Sequence, residues 1–219
     1  NNRFGVVLDY YKKTSSDLLM VVPTAPYRGG LNFTANIGEI ENTGFEIGIN
    51  GTIINKDNFN WKSNFNITFN ETIVTDLGDN TEFFAGDKYG GGQAVAPAVI
   101  LEKGERTGNF YGFIYEGVWK SDEATEAAIF GNVPGDAKYK DINDDGTINN
   151  DDLDVMGNGQ ADFVWGINNS FTYKGFDLNI FIQGVQGNEI WNLGRGYIFG
   201  GTGDARNATT IDIKNRWTP

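Results

Sequence analysis

The sequence predicts an all-β fold, antiparallel strands of a transmembrane β-barrel carrying long extracellular loops, and three observations lead there. Several segments alternate apolar with polar or tiny residues, the period-two signature of a strand with two different faces. These runs exceed the five or six residues of an average strand, and aromatic residues gather near their ends. Membrane-spanning strands need roughly 9 to 11 residues and carry aromatic girdles. The same alternation also suits an antiparallel sheet in a soluble sandwich, whose apolar face meets a second sheet.

The elements follow in chain order. A strand is expected over 3–12 and a second over 42–54, where Phe45, Ile47, Ile49 and Ile53 share one face against Glu46, Gly48, Asn50 and Thr52. Asn55 to Asn58 forms a short turn into a third strand over 59–75, with Trp61, Phe65, Ile67 and Phe69 opposing Asn60, Lys62, Asn64, Asn66, Thr68 and Asn70. A fourth strand over 162–173 sets Phe163, Trp165, Ile167, Phe171 and Tyr173 against Val164, Gly166, Asn168, Ser170 and Thr172. Lys174-Gly175 turns tightly into a fifth over 176–187, because glycine reaches positive φ without strain. Phe176, Leu178, Ile180 and Ile182 there oppose Asp177, Asn179 and Gln183, and Phe181 is the one exception.

Loop lengths assign the sides, since outer-membrane barrels have short periplasmic turns and long extracellular loops. Residues 1–75 hold barrel strands with an extracellular loop at 13–41, residues 76–161 form one extracellular excursion, 162–187 a barrel hairpin and 188–219 a further extracellular loop. Phe110 to Trp119 is therefore not a crossing but belongs above the membrane, packed by Tyr111, Phe113, Tyr115 and Trp119. Ser121 to Ala128, with a polar start, an acidic first turn and alanines, reads as a short helix.

Composition narrows the chemistry. The net charge of −12, from 17 basic and 29 acidic residues, argues against a nucleic-acid partner. There is no cysteine and no histidine, which removes thiol chemistry, zinc sites of the usual kind and Ser-His-Asp chemistry. A glycosidase using two carboxylates would remain, yet no spacing singles out an acid and a nucleophile, so no catalytic residue is assigned. No apolar run approaches the 18 residues of a helical span, and the start and end of the sequence read as those of a fragment of something longer.

The most specific local signal runs from Asp141 to Asp152. Asp141, Asn143 and Asp145 stand at positions 1, 3 and 5 of a calcium loop, Gly146 at the sharp turn and the Thr147 carbonyl at position 7. Asp152 at position 12 completes a ligand set for a structural Ca²⁺, closer to a dockerin-type loop than to a cytosolic sensor. A solvated acidic turn is the alternative, since Asp, Asn and Gly form turns anyway.

Several motifs together resemble a known family. Leu8-Asp9-Tyr10-Tyr11-Lys12-Lys13-Thr14, Asp17-Leu18-Leu19, Asn36-Ile37-Gly38 and Asn42-Thr43-Gly44-Phe45-Glu46 look like the barrel of TonB-dependent outer-membrane transporters. Pro134 to Asp141, the calcium-like loop, Gly157-Asn158-Gly159, Phe163 with Trp165-Gly166, and Phe181 with Gln183-Gly184 resemble the SusC/RagA branch found in Bacteroidetes. The resemblance implies a late portion of a 22-stranded barrel in the cell outer membrane, plugged at its N-terminus and energised by TonB through an N-terminal region this sequence lacks. It further implies import of an oligosaccharide or peptide solute with a SusD-like surface lipoprotein, and strands that face outer-membrane lipid. Tyr111, Tyr115, Trp119, Trp191 and Tyr197 could stack on sugar rings, but packing and lipoprotein contact compete for them and no substrate site is assigned. The competing class is a soluble, secreted, calcium-braced β-rich module that binds carbohydrate.

Overall fold

The computed structural model describes residues 3–23, 32–85, 99–191 and 217–218. Its strands are β1 (Phe4–Pro23), β2 (Asn32–Lys56), β3 (Phe59–Asp76), β4 (Glu82–Ala85), β5 (Val99–Glu102), β6 (Asn109–Phe113), β7 (Tyr115–Val118), β8 (Ala137–Tyr139), β9 (Leu153–Asn158), β10 (Phe163–Tyr173) and β11 (Phe176–Gln186). One α-helix, α1 (Ala124–Ile129), follows a 3₁₀ turn at Ser121–Glu123, where the sequence places a short helix. No helix among the described residues is long and apolar enough to cross a membrane, which says nothing about strands. The chain divides into two compact units, one of residues 1–83, 101–107 and 159–189, the other of 84–100, 108–158 and 190–219.

The first unit is a five-stranded antiparallel sheet in the order β1-β2-β3-β10-β11. All five expected strands are present, but two are far longer than the alternation indicates. The segment 13–41, expected as a loop, is strand over 13–23 and 32–41, and 24–31 lies outside the described residues. Polar Thr14 to Asp17 reads as loop because it breaks the pattern; pairing with β2 carries the strand through it by register shifts between Ser15 and Leu19, with Asp17 at φ 58. A second irregularity lies between Thr52 and Ile54, so Ile54 rather than Ile53 stands opposite Trp61. Lys174 and Gly175 both have positive φ, 47 and 86, the requirement of a two-residue type I′ hairpin, and Tyr173 pairs directly with Phe176.

Beyond Thr68, where pairing with β10 ends, β3 finds other partners. Thr107 N–H donates to the Thr72 carbonyl (2.9 Å), Val74 N–H to the Glu105 carbonyl (2.9 Å) and Gly104 N–H to the Val74 carbonyl (2.7 Å). The Gln160 side chain completes the edge: its Oε1 accepts from Thr72 N–H and its Nε2 donates to the Thr72 carbonyl, both at 2.9 Å. A small core closes this end, with Val74, Leu77 and Phe83 buried against Met20, Val22, Ile37, Ile40 and Leu101.

In the second unit β6 pairs antiparallel with β5 and with β9, and β7 pairs with β8. Phe110 to Trp119 is thus split between two short strands in separate small sheets and joins no strand of the five-stranded sheet. Trp119 is buried, stacked on Phe130 at 5.8 Å with Lys138 Nζ 4.4 Å from its ring centre.

Candidate functional site

Strand register lines up one face of the five-stranded sheet as an apolar band. Its first row is Phe59, Tyr173 and Phe176, its next Ile54, Trp61, Phe171 and Leu178, both beside the tight turns. Aliphatic side chains dominate the middle: Val6, Ile49, Phe65, Ile167 and Ile182 in one row, Leu8, Ile47 and Ile67 in the next. Aromatics return in the row of Tyr10, Phe45, Phe69 and Phe163, with Phe69 and Phe163 rings 5.7 Å apart. From Phe59 to Phe69 the strand advances about 33 Å at ~3.3 Å per residue, and a ~40° tilt makes that about 25 Å, the height of the apolar band on outer-membrane barrels.

This face is open. Val6 is 63% exposed, Leu8 61%, Ile182 52% and Phe176 79%, so large apolar side chains lie open in row after row of this face. Past the Tyr10 row the same face turns charged at once, with Lys12 bridged to Glu41 (2.8 Å) and Arg106 between Glu71 (3.5 Å) and Asp162 (3.6 Å). Two polar residues interrupt the band, Ser63 and Asn169 in one row, and Trp61 Nε1 donates to Asn169 Oδ1 at 3.0 Å. Asn169 breaks the alternation in the sequence; its partner is visible only in the register.

The opposite face is mixed, rich in amides and glycine but with Val7, Val164, Phe181 and Val185 exposed on it. Asn50, Asn64 and Asn168 stand side by side in one row that ends on Phe181. The next row holds Val7, Gly48, Asn66, Gly166 and Gln183, and the one after it sets Asp9 opposite Glu46 and continues through Thr68, Val164 and Val185. Farther along, the Tyr11 ring crosses Gly44 and its hydroxyl donates to Asn70 Oδ1 at 2.8 Å.

The acidic loop lies in the second unit and curls on its own backbone. Asp141 Oδ2 accepts from Gly146 N–H (2.8 Å), Asn143 Oδ1 from Asp145 N–H (3.1 Å) and Asp145 Oδ1 from Thr147 N–H (2.8 Å), with Gly146 at φ 79. Asp152 behaves differently. It is fully buried, its Oδ2 accepting from Asn149 N–H (2.8 Å) and its Oδ1 from Ile142 N–H (2.9 Å), so it ties the two ends of the loop together. Those N–H groups, Asn149 first and Ile142 second, hold its carboxyl below the usual carboxylate range. Among the described residues no three Asp, Glu, His or Cys side chains converge as a metal centre. Each accepting oxygen keeps a second lone pair.

No family model matches the chain. The TonB-dependent receptors P26 and P3 of Formosa agariphila are 36% identical over 224 residues and 34% over 222, each match covering 100% of this chain and 22% of the relative. The TonB-dependent receptor SusC of Bacteroides thetaiotaomicron is 28% identical over 199 residues, 87% of this chain and 18% of that one. The chain belongs to the SusC/RagA-type TonB-dependent receptors. Among solved structures, the RagAB peptide importer in its closed-closed state shares the fold at a TM-score of 0.65 and 20% identity, covering 86% of this chain and 20% of that one.

This SusC/RagA-type segment spans about a fifth of the length of the curated relatives it matches. Those relatives are named receptors, not enzymes. Of the loop aromatics, Tyr111 lies 5.4 Å from Phe84, Tyr115 packs edge-on to Tyr139 at 6.0 Å, Trp191 meets Phe110 at 5.7 Å, and Tyr197 lies outside the described residues. Three of them thus pack on neighbouring rings, as Trp119 does on Phe130.

Proposed function

We propose that this segment supplies five neighbouring crossings of an outer-membrane barrel wall in a SusC-type importer, one that takes up glycans or peptides with a SusD-like lipoprotein and draws on TonB. The observation that carries this reading is the exposed apolar band, bounded by aromatic rows and then by charge. Lipid is the solvent such a face requires; a soluble carbohydrate-binding module would leave it against water. On this reading the tight turns at 57–58 and 174–175 are periplasmic, and 76–161 and 188–219 are extracellular. The test is site-directed spin labelling of the full-length receptor in bilayers, with one label at Ile67 and one at Asn66. The Ile67 label should collide with lipid-dissolved oxygen and the Asn66 label with an aqueous nickel complex; equal aqueous access at both positions sinks the barrel reading in favour of the soluble module.

We also infer a structural Ca²⁺ in the acidic loop, held by Asp141, Asn143, Asp145, the Thr147 carbonyl and Asp152. The support is the curled turn with its positive-φ glycine at position six. Calorimetric titration of chelated receptor decides it, and the absence of binding at millimolar Ca²⁺ removes the ion from the account.

A further inference from the structure

Where the apolar band of the five-stranded sheet gives way to charge, the same face carries a cavity of about 300 Å³, lined chiefly by Tyr10, Phe45, Phe69, Glu71, Arg106 and Asp162. The three rings form one row and are all exposed; Lys12, Thr43 and Glu71 form the next row along the strands. Arg106 is fixed through its backbone, since it lies opposite Ile73 while its neighbours Glu105 and Thr107 hydrogen-bond to Val74 and Thr72. Its guanidinium is placed but not saturated. Nε stands 3.5 Å from Glu71, Nη1 3.6 Å from Asp162 and Nη2 3.5 Å from the Ala161 carbonyl. All three exceed the roughly 2.7–2.9 Å of a charge-assisted bond, and Nε is buried without a hydrogen bond among the described residues. Lys12, the other cation at this height, is engaged by Glu41 at 2.8 Å.

We propose that this cavity holds the headgroup of an outer-leaflet lipid bearing a phosphodiester and a primary ammonium, a phosphoethanolamine, an inference that rests on the barrel-wall reading above. On that reading the tight turns are periplasmic, so the Tyr10 row lies at the outward interface, with acyl chains against the rings and headgroups level with Arg106. The Arg106 fork donates to the phosphate oxygens. The ammonium meets the exposed carboxylates of Glu71 and Asp162 and the faces of the aromatic row. A phosphate without an ammonium would stand against two carboxylates and one arginine, a net repulsion. A quaternary ammonium would bring no N–H to those carboxylates. Free phosphoethanolamine would leave the three rings against water, so the site favours the lipid as its source.

The test is native mass spectrometry of the full-length receptor in detergent, titrated separately with dioleoyl phosphatidylethanolamine, phosphatidylcholine and phosphatidylglycerol. Phosphatidylethanolamine should half-saturate at a concentration about tenfold below either of the others, and Arg106→Gln should raise that concentration about tenfold. Glu71→Gln/Asp162→Asn should reverse the order and favour phosphatidylglycerol, an inversion that a general loss of structure does not produce. Heat-modifiable migration on gels confirms that each variant is folded. Equal binding of the three lipids, a preference that both variants leave unmoved, or displacement by free phosphoethanolamine at concentrations matching the lipid overturns the proposal. Failure of the barrel reading itself shows separately, as water rather than lipid around the Ile67 spin label.

Discussion

The ring of Tyr11 lies directly across Gly44, in the space that a β-carbon on that residue would occupy. Register places Tyr11, Gly44 and Asn70 in one row, and the missing side chain in the middle lets the phenol reach from β1 to β3. Gly44→Ala should therefore displace the ring and break its hydrogen bond, destabilising the refolded receptor by about 1–3 kcal/mol. Tyr11→Phe should cost about 0.5–1.5 kcal/mol, the hydrogen bond alone. Urea unfolding in detergent micelles measures both. With Tyr11→Ala already present, Gly44→Ala should cost less; an undiminished cost would show that the ring is not what the glycine accommodates.

That relationship also marks the limit of what local sequence conveys. The alternation from Phe45 to Ile49 and from Phe163 to Phe171 is legible because each strand has two solvents, and every second residue reports which one it meets. Ile53 was not legible, since a bulge shifts parity without leaving a pattern, and neither was the strand through Thr14 to Asp17, which exists because β2 pairs with it. In the acidic loop, spacing marked Asp141, Asn143 and Asp145 as a turn that gathers oxygens. Spacing alone does not reveal that the carboxylate of Asp152 at position 12 also ties the two ends of the loop together, because its backbone partners, Asn149 and Ile142, are fixed only by the folded turn.

Asn169 sits within the apolar band and depends on Trp61. Removing the donor by Trp61→Phe leaves the Asn169 Oδ1 without its 3.0 Å partner, which should cost about 1–3 kcal/mol for a polar group in an apolar setting. Asn169→Leu in turn leaves the Trp61 Nε1–H without its acceptor and should carry a similar cost, whereas replacing both partners removes the need altogether. In the double variant the penalty of Trp61→Phe should shrink by at least half. Folding equilibria into short-chain lipid vesicles supply the double-mutant cycle, and additive costs would mean the two side chains act independently.

Asp152 and Asp145 should separate by their dependence on calcium. Asp152→Asn replaces one accepting oxygen by an NH₂ group that faces a backbone N–H, so it should destabilise the loop by about 1–3 kcal/mol even in chelator. Asp145→Asn leaves a carbonyl oxygen to accept from Thr147 N–H and loses only the exposed bond from Asn143 Nδ2 (3.0 Å), so in chelator it should cost less than Asp152→Asn. With millimolar Ca²⁺ present, the unsubstituted receptor should gain stability by mass action and Asp145→Asn should gain less. Hydrogen exchange over 141–152, with and without Ca²⁺, reads these outcomes directly.

Glu123 sets the pH response of the segment around Trp119. Its carboxylate accepts from Lys120 N–H (2.9 Å) and pairs with Lys138 Nζ (2.9 Å); the backbone bond first and the lysine second hold it below its usual value of 4.5. A depressed folded-state value means the unfolded chain binds the proton more readily, so this contribution is complete above pH 4.5 and disappears as the pH falls through the folded value. Lys138 works in the other direction, raised above 10.5 chiefly by its bond to Glu123, so its contribution is complete below pH 10.5 and is lost as the pH rises through the folded value. Glu123→Gln removes the ionised partner from both limbs. Amide exchange over 119–139, corrected for intrinsic pH dependence, should then change less between pH 3 and pH 6 in the variant than in the parent. Parallel profiles would assign the acid sensitivity of this segment to other carboxylates.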